Sequence, residues 1–456
     1  MSIAIKSRLS FPGGVHPPEK KSLTAGSPIQ PGPQARQVAV MLSQHIGAVC
    51  RPLVKKADVV QAGQKIGDCD AFVSAPVHSP IAGKVVEIAL RPHAVIGRSP
   101  AIIIEDTDNP AKRSYFRLSE GFDINKYSAE RIREVVRQAG IVGMGGAGFP
   151  TRVKIEPNPQ SPKKTMIVNG CECEPYITCD FRIMLEWTDQ IIAGIKLAQK
   201  ASAAPEVLIG IEDNKPEAIE AINAALERAG AAGDIKVITV KTKYPQGGER
   251  QLIRSILKKN VPTGGIPPMI GVLVLNMATC AAIAEAVIAG LPLTHRVVTV
   301  TGEAIARPGN YYCSIGTSVG QLIEFCGGVT QKSARVILGG PMMGIAIADL
   351  ETPITKTTGA VTIITKEQMG KAKFDRRQTA CIRCGRCLRA CPENLNPTKI
   401  AHAVKNNLID VAESTYMTAC IECGCCSFVC PAKIDLTGYI KTGKIYLARQ
   451  KKKIPT

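Results

Sequence analysis

The chain has 456 residues, 45% of them hydrophobic and 21% charged, proportions of a globular protein with substantial cores. These values exclude a disordered, collagen-like or small disulfide-stapled chain, and the length suits about two to four domains. Lys and Arg exceed Asp and Glu by 19, a surplus that fits an acidic protein partner, a phosphate-bearing cofactor, an anionic membrane face or nucleic acid.

In chain order, residues 1–36 are rich in Pro, Gly and Lys and read as an irregular arm. No basic segment followed by an apolar run opens the chain, so a cytoplasmic, reducing location is expected. Residues 37–105 hold short β-type runs between turns. VQAGQKIGD and SPIAGKVVEI in this stretch resemble the lipoyl/biotinyl-type barrel-sandwich hybrid. Ala75-Pro76-Val77-His78 occupies the tip where a carrier keeps its modified lysine, so a structural sandwich is expected. Residues 106–127 read as a linker. From 128 to 295 helical and β patterns alternate, which predicts an α/β domain with a largely parallel sheet. Within it, Met269–Leu293 is broken by Asn276 and Glu285 and closed by Gly290 and Pro292. It reads as a strand over Ile270–Leu275, a turn and a helix capped near Gly290, not as a membrane span. Residues 296–348 read as a small α+β module, 349–372 as a crossing segment, 373–440 as a cysteine-rich domain and 441–456 as a basic tail.

Nine of the seventeen cysteines lie between Cys381 and Cys430. Cys381, Cys384, Cys387 and Cys391-Pro392 form C-x2-C-x2-C-x3-C-P, and Cys420, Cys423, Cys426 and Cys430-Pro431 repeat it 39 residues later. Three thiolates on a tight loop wrap three corners of a cubane, while the C-P cysteine reaches the other cluster. One [4Fe–4S] cluster then takes Cys381, Cys384, Cys387 and Cys430; the second takes Cys420, Cys423, Cys426 and Cys391. Zinc sites do not ordinarily duplicate a third cysteine with a C-P ending. Cys425 is surplus, and paired cubanes serve one-electron relay.

Gly143, Gly145, Gly146 and Gly148 crowd six residues after a helical pattern, with Lys154 following. Such a loop turns backbone amides toward a phosphate whose charge the lysine neutralises; a tight turn alone explains glycines too. It is not a dinucleotide fingerprint, because no strand precedes it. Downstream, a strand ends in Asn169 with Glu172 and Glu174 beyond it. Tyr244-Pro-Gln-Gly247-Gly248-Glu249 forms a second glycine loop, and another strand ends at Asn276 with Thr279 after it. Cys171, Cys173 and Cys179 read as buried small hydrophobes, with a cysteine-bound metal as the lesser alternative.

In their order, GGAGFPTRVK, N-x-x-E-x-E-P, YPQGGERQL and the strand-end N-x-x-T resemble the FMN-bearing, NADH-oxidising subunit of respiratory complex I. With the sandwich, the β-grasp (SLBB-type) stretch TGEAIARPGNYYCSIGTSVGQLIEFCGGV and the two-cluster module, nearly the whole chain resembles the C-subunit family of the Rnf (Rsx) complex. The resemblance implies a multidomain α/β and α+β chain: barrel-sandwich hybrid, complex I FMN-subunit-like domain, β-grasp module and bacterial-type two-cluster ferredoxin domain. It implies a non-covalent FMN with its phosphate on Gly143, Gly145, Gly146 and Gly148 near Lys154. Asn169, Glu172, Asn276 and Thr279 would line the flavin, with Tyr244, Gly247 and Glu249 beside it and Glu174 helping to place NADH. It further implies two [4Fe–4S] clusters, NAD(H) as substrate and a peripheral place on the cytoplasmic face of the inner membrane. The partners would be integral membrane subunits and a ferredoxin-like iron–sulfur subunit. No protein nucleophile or general base is called for.

Two other readings use the same parts. A soluble cobalamin reductase of the propanediol-utilisation type places its sandwich after the ferredoxin module, whereas here the sandwich comes first. An electron-relay adaptor would have a degenerate flavin pocket. Nucleic acid is not expected as a partner, because aromatic and basic residues do not interleave.

Overall fold

The computed structural model describes residues 7–106, 116–118, 122–330, 333–371 and 378–453. Most of the linker and the ends of the arm and basic tail lie outside the described residues. Strands Thr165–Asn169, Glu206–Glu212, Ile235–Val240 and Val272–Asn276 form an all-parallel sheet. The interiors of Thr165–Asn169, Glu206–Glu212 and Val272–Asn276 are largely apolar and buried, because helices cover both faces, while the edge strand Ile235–Val240 is partly exposed at Lys236. The spatial order is Ile235–Val240, Glu206–Glu212, Thr165–Asn169, Val272–Asn276. The sheet therefore grows in one direction from Thr165–Asn169 and then reverses to lay Val272–Asn276 on its other side. Open α/β sheets bind ligands at the carboxyl ends of strands beside such a reversal. Register pairs Asn169 with Asn276 there.

The helix Met277–Ala289 shows how sequence builds this edge. Asn276 leaves the strand and caps the helix, its side chain accepting from the Thr279 amide at 3.2 Å, a cap worth about 1 kcal/mol. Alanines carry the helix through the core, and Gly290, at φ +68°, ends it. The strand expected over Ile270–Leu275 starts two residues later, because Pro267 and Pro268 open a 3₁₀ turn over Pro267–Ile270.

The sandwich packs Gln37–Met41, Gly97–Glu105, Gly83–His93 and Val59–Val60 against a smaller sheet of Arg51–Pro52, Lys65–Asp68 and Val77–His78. Its tip is no swinging arm. Ala75, Val77 and His78 are buried, and the fully buried Lys356 donates to the carbonyls of Pro76 (2.6 Å) and Gly140 (2.7 Å). One ammonium thus joins sandwich tip, α/β domain and the segment after the α+β module; burial pulls its pKa down to about 7.

A further sheet has six strands, in the order Ile29–Pro31, Gly309–Ser314, His295–Thr301, Ala360–Thr365, Ser333–Leu338, Ile345–Ile347. It draws in both neighbouring segments. The arm, irregular elsewhere, adds an edge strand parallel to Gly309–Ser314. Ala360–Thr365, within the stretch read as a crossing, is a central strand whose apolar side chains complete the core.

The cysteine domain is a duplicated turn-and-helix unit. Positive φ recurs at the 39-residue offset in Arg383 and Glu422, Gly385 and Gly424, and Asn394 and Lys433. The helix Pro397–Lys405 likewise matches the start of Leu436–Lys453. The stretch read as a separate basic tail continues that second helix, because Ile440 and Leu447 bury against Ile400, Val404 and Met417. Among the described residues no helix is long and apolar enough to cross a membrane.

Candidate functional site

The glycine loop lies over the sheet reversal. Met144 donates its amide to Thr279 Oγ1 at 2.9 Å, and a Cβ on Gly145 would come within 3 Å of the Asn276 side chain. The crown Gly145–Ala147 is exposed, and a Cβ on Gly146 would meet open space. Exposed amides with room above them are what a phosphate needs. From the following helix, Thr151–Ile155, Lys154 reaches Glu249 Oε1 (3.0 Å) and the Val274 carbonyl (3.1 Å). The lysine therefore stands between the second glycine loop and the strand Val272–Asn276, a cation held at the carboxyl edge.

Asn169 ties the other strand end to that second loop. Its Nδ2 donates to the Gly247 carbonyl at 2.8 Å and its Oδ1 accepts from the Cys171 amide at 3.1 Å. Glu172 accepts from the amides of Asp180 (2.6 Å) and Phe181 (3.2 Å), capping the helix Cys179–Glu186. Asn276 Nδ2 in turn donates to Asp180 Oδ2 at 2.5 Å. A chain of hydrogen bonds therefore runs from Glu172 through Asp180, Asn276 and Thr279 to the glycine loop, joining four of the sequence-derived residues or segments. Asp180 was not among the sequence candidates; its only signal is an acid in the first turn of a helix. Lys21 of the arm was missed too. Its Nζ donates to the carbonyls of Glu172 (2.8 Å), Glu174 (3.0 Å) and Ile177 (2.5 Å), so a residue more than 150 positions away shapes the acidic loop.

Burial pushes the carboxyls of Glu172 and Glu174 up to about 7. Glu174 accepts from the amides of Met343 (2.7 Å) and Met342 (3.3 Å) and so faces the junction with the six-stranded sheet. For Glu172 the folded pKa exceeds the unfolded one. Its contribution to stability is complete below about 4.5 and is lost as pH rises through 7. Glu172→Gln removes that dependence while keeping an acceptor for the helix amides. The variant should therefore gain on the order of 3 kcal/mol on the wild type between pH 4.5 and 8. Urea unfolding followed through Trp187, the single tryptophan, reads the difference; a difference independent of pH would contradict it.

Cys171 and Cys179 are buried, and burial drives their thiols well above the ordinary cysteine value, as small hydrophobes. Cys173 Sγ accepts from the Gly247 amide at 3.3 Å. The donor atoms that gather within 4.8 Å of one another are those of Glu172, Cys179 and Asp180. The two acids already accept from helix amides and Asn276, and burial raises the pKa of both Cys179 and Asp180 against the smaller opposing pull of buried Arg296.

On the cluster side, Cys391 from the first repeat joins Cys420, Cys423 and Cys426 from the second in lining one space. That donor set, four cysteines around one cavity, fits a cubane. Cys425 borders the same space, its Sγ turned toward the Tyr244 carbonyl at 3.9 Å. Of the other set, Cys381 and Cys384 are exposed while Cys387 and Cys430 are buried. The two repeats hold their third cysteine alike: Cys387 Sγ lies 3.2 Å from Thr398 Oγ1 and Cys426 Sγ 3.6 Å from Thr437 Oγ1. Tyr244 OH donates to the Cys423 carbonyl at 2.9 Å, and Arg250 pairs with Glu393 at 3.1 Å, so the second glycine loop abuts the cavity.

Family models match in the same order along the chain. Residues 9–109 match the RnfC barrel sandwich hybrid domain, 136–285 the Nuo51 FMN-binding domain, 297–346 the SLBB domain and 377–434 the 4Fe-4S dicluster domain. The C subunit of the proton-translocating ferredoxin:NAD(+) oxidoreductase complex of Clostridium ljungdahlii is 41% identical, covering 89% of this chain and 87% of that one. Its counterpart in the Na(+)-translocating complex of Acetobacterium woodii is also 41% identical, covering 97% and 98%. The C subunit of the ion-translocating oxidoreductase complex of Pseudomonas aeruginosa is 40% identical over 86% of this chain, which spans 50% of that longer relative. Among solved structures, an NAD+-reducing [NiFe]-hydrogenase superposes with a TM-score of 0.53 over 71% of this chain and 62% of its own. At 19% identity that is a likeness of fold. The chain carries an FMN-binding domain and a 4Fe–4S dicluster domain, and it belongs to the C-subunit family of the ion-translocating ferredoxin:NAD(+) oxidoreductase complex.

Proposed function

We propose that this chain is the peripheral subunit at which an ion-translocating ferredoxin:NAD+ oxidoreductase exchanges hydride with NAD(H) and relays single electrons. The observation that carries the reading is the abutment of the sheet's switch-point edge, where Gly145–Ala147, Lys154, Asn169 and Asn276 would ring a ligand crevice, on a four-cysteine cavity through Tyr244. FMN held in the crevice supplies the conversion between a two-electron hydride and one-electron carriers. Gly143, Gly145, Gly146 and Gly148 would offer amides to its phosphate and Lys154 the charge, and Asn169 and Glu249 would line its ring. Glu172, with Asp180, holds Asn276 and the loop in place, and Glu174 anchors the wall toward the six-stranded sheet. Cys420, Cys423, Cys426 and Cys391 hold the [4Fe–4S] cluster nearer the crevice; Cys381, Cys384, Cys387 and Cys430 hold the outer one. The test is content: purified anaerobically, the chain should release FMN and carry about eight irons. A chain without flavin would contradict the reading.

Partners follow from charge. Between Gly370 and Thr456 stand 16 Lys or Arg against 6 Asp or Glu. Arg383, Arg386 and Arg389 are exposed and flank Cys381 and Cys384 in sequence. The outer cluster thus opens on a basic rim suited to an acidic iron–sulfur subunit or to integral subunits at the anionic cytoplasmic face of the membrane, where each Lys or Arg is worth about 1 kcal/mol. Raising salt from low ionic strength to about 1 M should release the chain from membranes carrying the complex. Retention unchanged by salt would argue against an electrostatic dock.

A further inference from the structure

The arm segment Phe11–Val15 threads between the second glycine loop and the cluster loops. On one side, Val15 donates to the Tyr244 carbonyl at 2.8 Å and Tyr244 returns the bond to the Val15 carbonyl at 2.9 Å. On the other, Gly14 donates to the Ala390 carbonyl at 2.9 Å, one residue before Cys391. Buried Phe11 lies under the Lys243 ammonium, 4.6 Å from ring centre to nitrogen, and its carbonyl accepts from Lys243 at 2.9 Å. Neither glycine tolerates a side chain, on two separate grounds. Both have positive φ, +74° at Gly13 and +77° at Gly14. A Cβ on Gly13 would also sit 2.6 Å from the Cys391 carbonyl oxygen, and one on Gly14 2.6 Å from that of Tyr244.

We propose that Gly13 and Gly14 are positioning residues that set the gap between the flavin crevice and the cavity of Cys391, Cys420, Cys423 and Cys426, and so the rate of electron passage between them. The strap is bonded to both walls through backbone atoms, and its thickness is that of a bare peptide. Adding one methyl must push a wall outward, and tunnelling falls exponentially with the gap. The inference rests on the function proposed above. There, NADH yields two electrons and a proton net. The electrons leave the flavin singly, each reducing one oxidised cluster by one electron, and the proton goes to solvent.

The experiment uses the full chain, anaerobically purified with its cofactors, as wild type, Gly13→Ala and Gly14→Ala. Flavin and iron contents should be unchanged, and NADH should bleach the flavin at the wild-type rate. The cluster EPR signal should then grow about tenfold more slowly or worse, and amide hydrogen exchange at Val15 and Tyr244 should quicken. If either variant fails to fold, Phe11→Ala loosens the strap without a clash and should show the same split between flavin and cluster rates. Cluster reduction at the wild-type rate, with exchange accelerated, overturns the proposal. If NADH does not bleach the wild-type flavin, it is the parent reading that fails. Photoreduction of the flavin then supplies the electrons, and the same comparison of cluster rates decides the strap.

Discussion

Gly146→Val should strip the flavin from this chain while leaving its fold and clusters in place. A Cβ at Gly146 meets nothing within 4 Å, so the branched side chain costs the protein no internal clash and instead fills the space above the exposed crown. The neighbouring glycines give no such clean test: at Gly145 a side chain would strike Asn276, and at Gly148 it would strike Thr357. Combining it with Lys154→Ala removes the cation at the same edge, leaving Glu249 Oε1 and the Val274 carbonyl without their shared donor. The double variant should retain less than about a tenth of the wild-type flavin, the loss expected when a charge-assisted contact worth roughly 1.5–3 kcal/mol disappears along with backbone access. Iron content and cluster absorbance should not change. One flavin per chain in the double variant would show that the phosphate lies elsewhere.

Cys391→Ser and Cys430→Ser should each damage the cluster of the opposite repeat. Cys391 follows Cys381, Cys384 and Cys387 in sequence but lines the cavity of Cys420, Cys423 and Cys426. The 39-residue recurrence of positive φ and of the cysteine–threonine contacts makes the two halves alike, so Cys430 is expected to serve the set of Cys381, Cys384 and Cys387. By anaerobic EPR, Cys391→Ser should change the signal lost in Cys423→Ser, and Cys430→Ser the one lost in Cys384→Ser. Cys425, turned toward Tyr244, is out of place to substitute for Cys430. If Cys430→Ser instead alters the signal lost in Cys423→Ser, the crossing is wrong.

The features that sequence exposed were those with local spacing. The duplicated cysteine pattern is chemical punctuation read at fixed offsets, and strand-ending Asn169 and Asn276 mark apolar runs that stop at polar residues. What escaped was assembled across distance. Ala360–Thr365 pairs with His295–Thr301, about sixty residues before it, so nothing beside it announced a sheet. Lys21 and Gly14 sit in a segment whose composition says only that it is irregular, yet their partners are backbone carbonyls of the acidic loop and of Ala390. Carbonyl partners leave no side-chain pattern to read. The last helix was masked differently: its lysines signal a solvated tail, while the spacing of Ile440 and Leu447 is that of one buried face.

The measurement that bears most directly on the central claim is anaerobic addition of NADH to the isolated chain, following flavin absorbance and cluster EPR together. The account predicts that NADH bleaches the flavin and that cluster signals grow after it, one electron per cluster. Clusters that accept electrons while NADH leaves the flavin unbleached would contradict it.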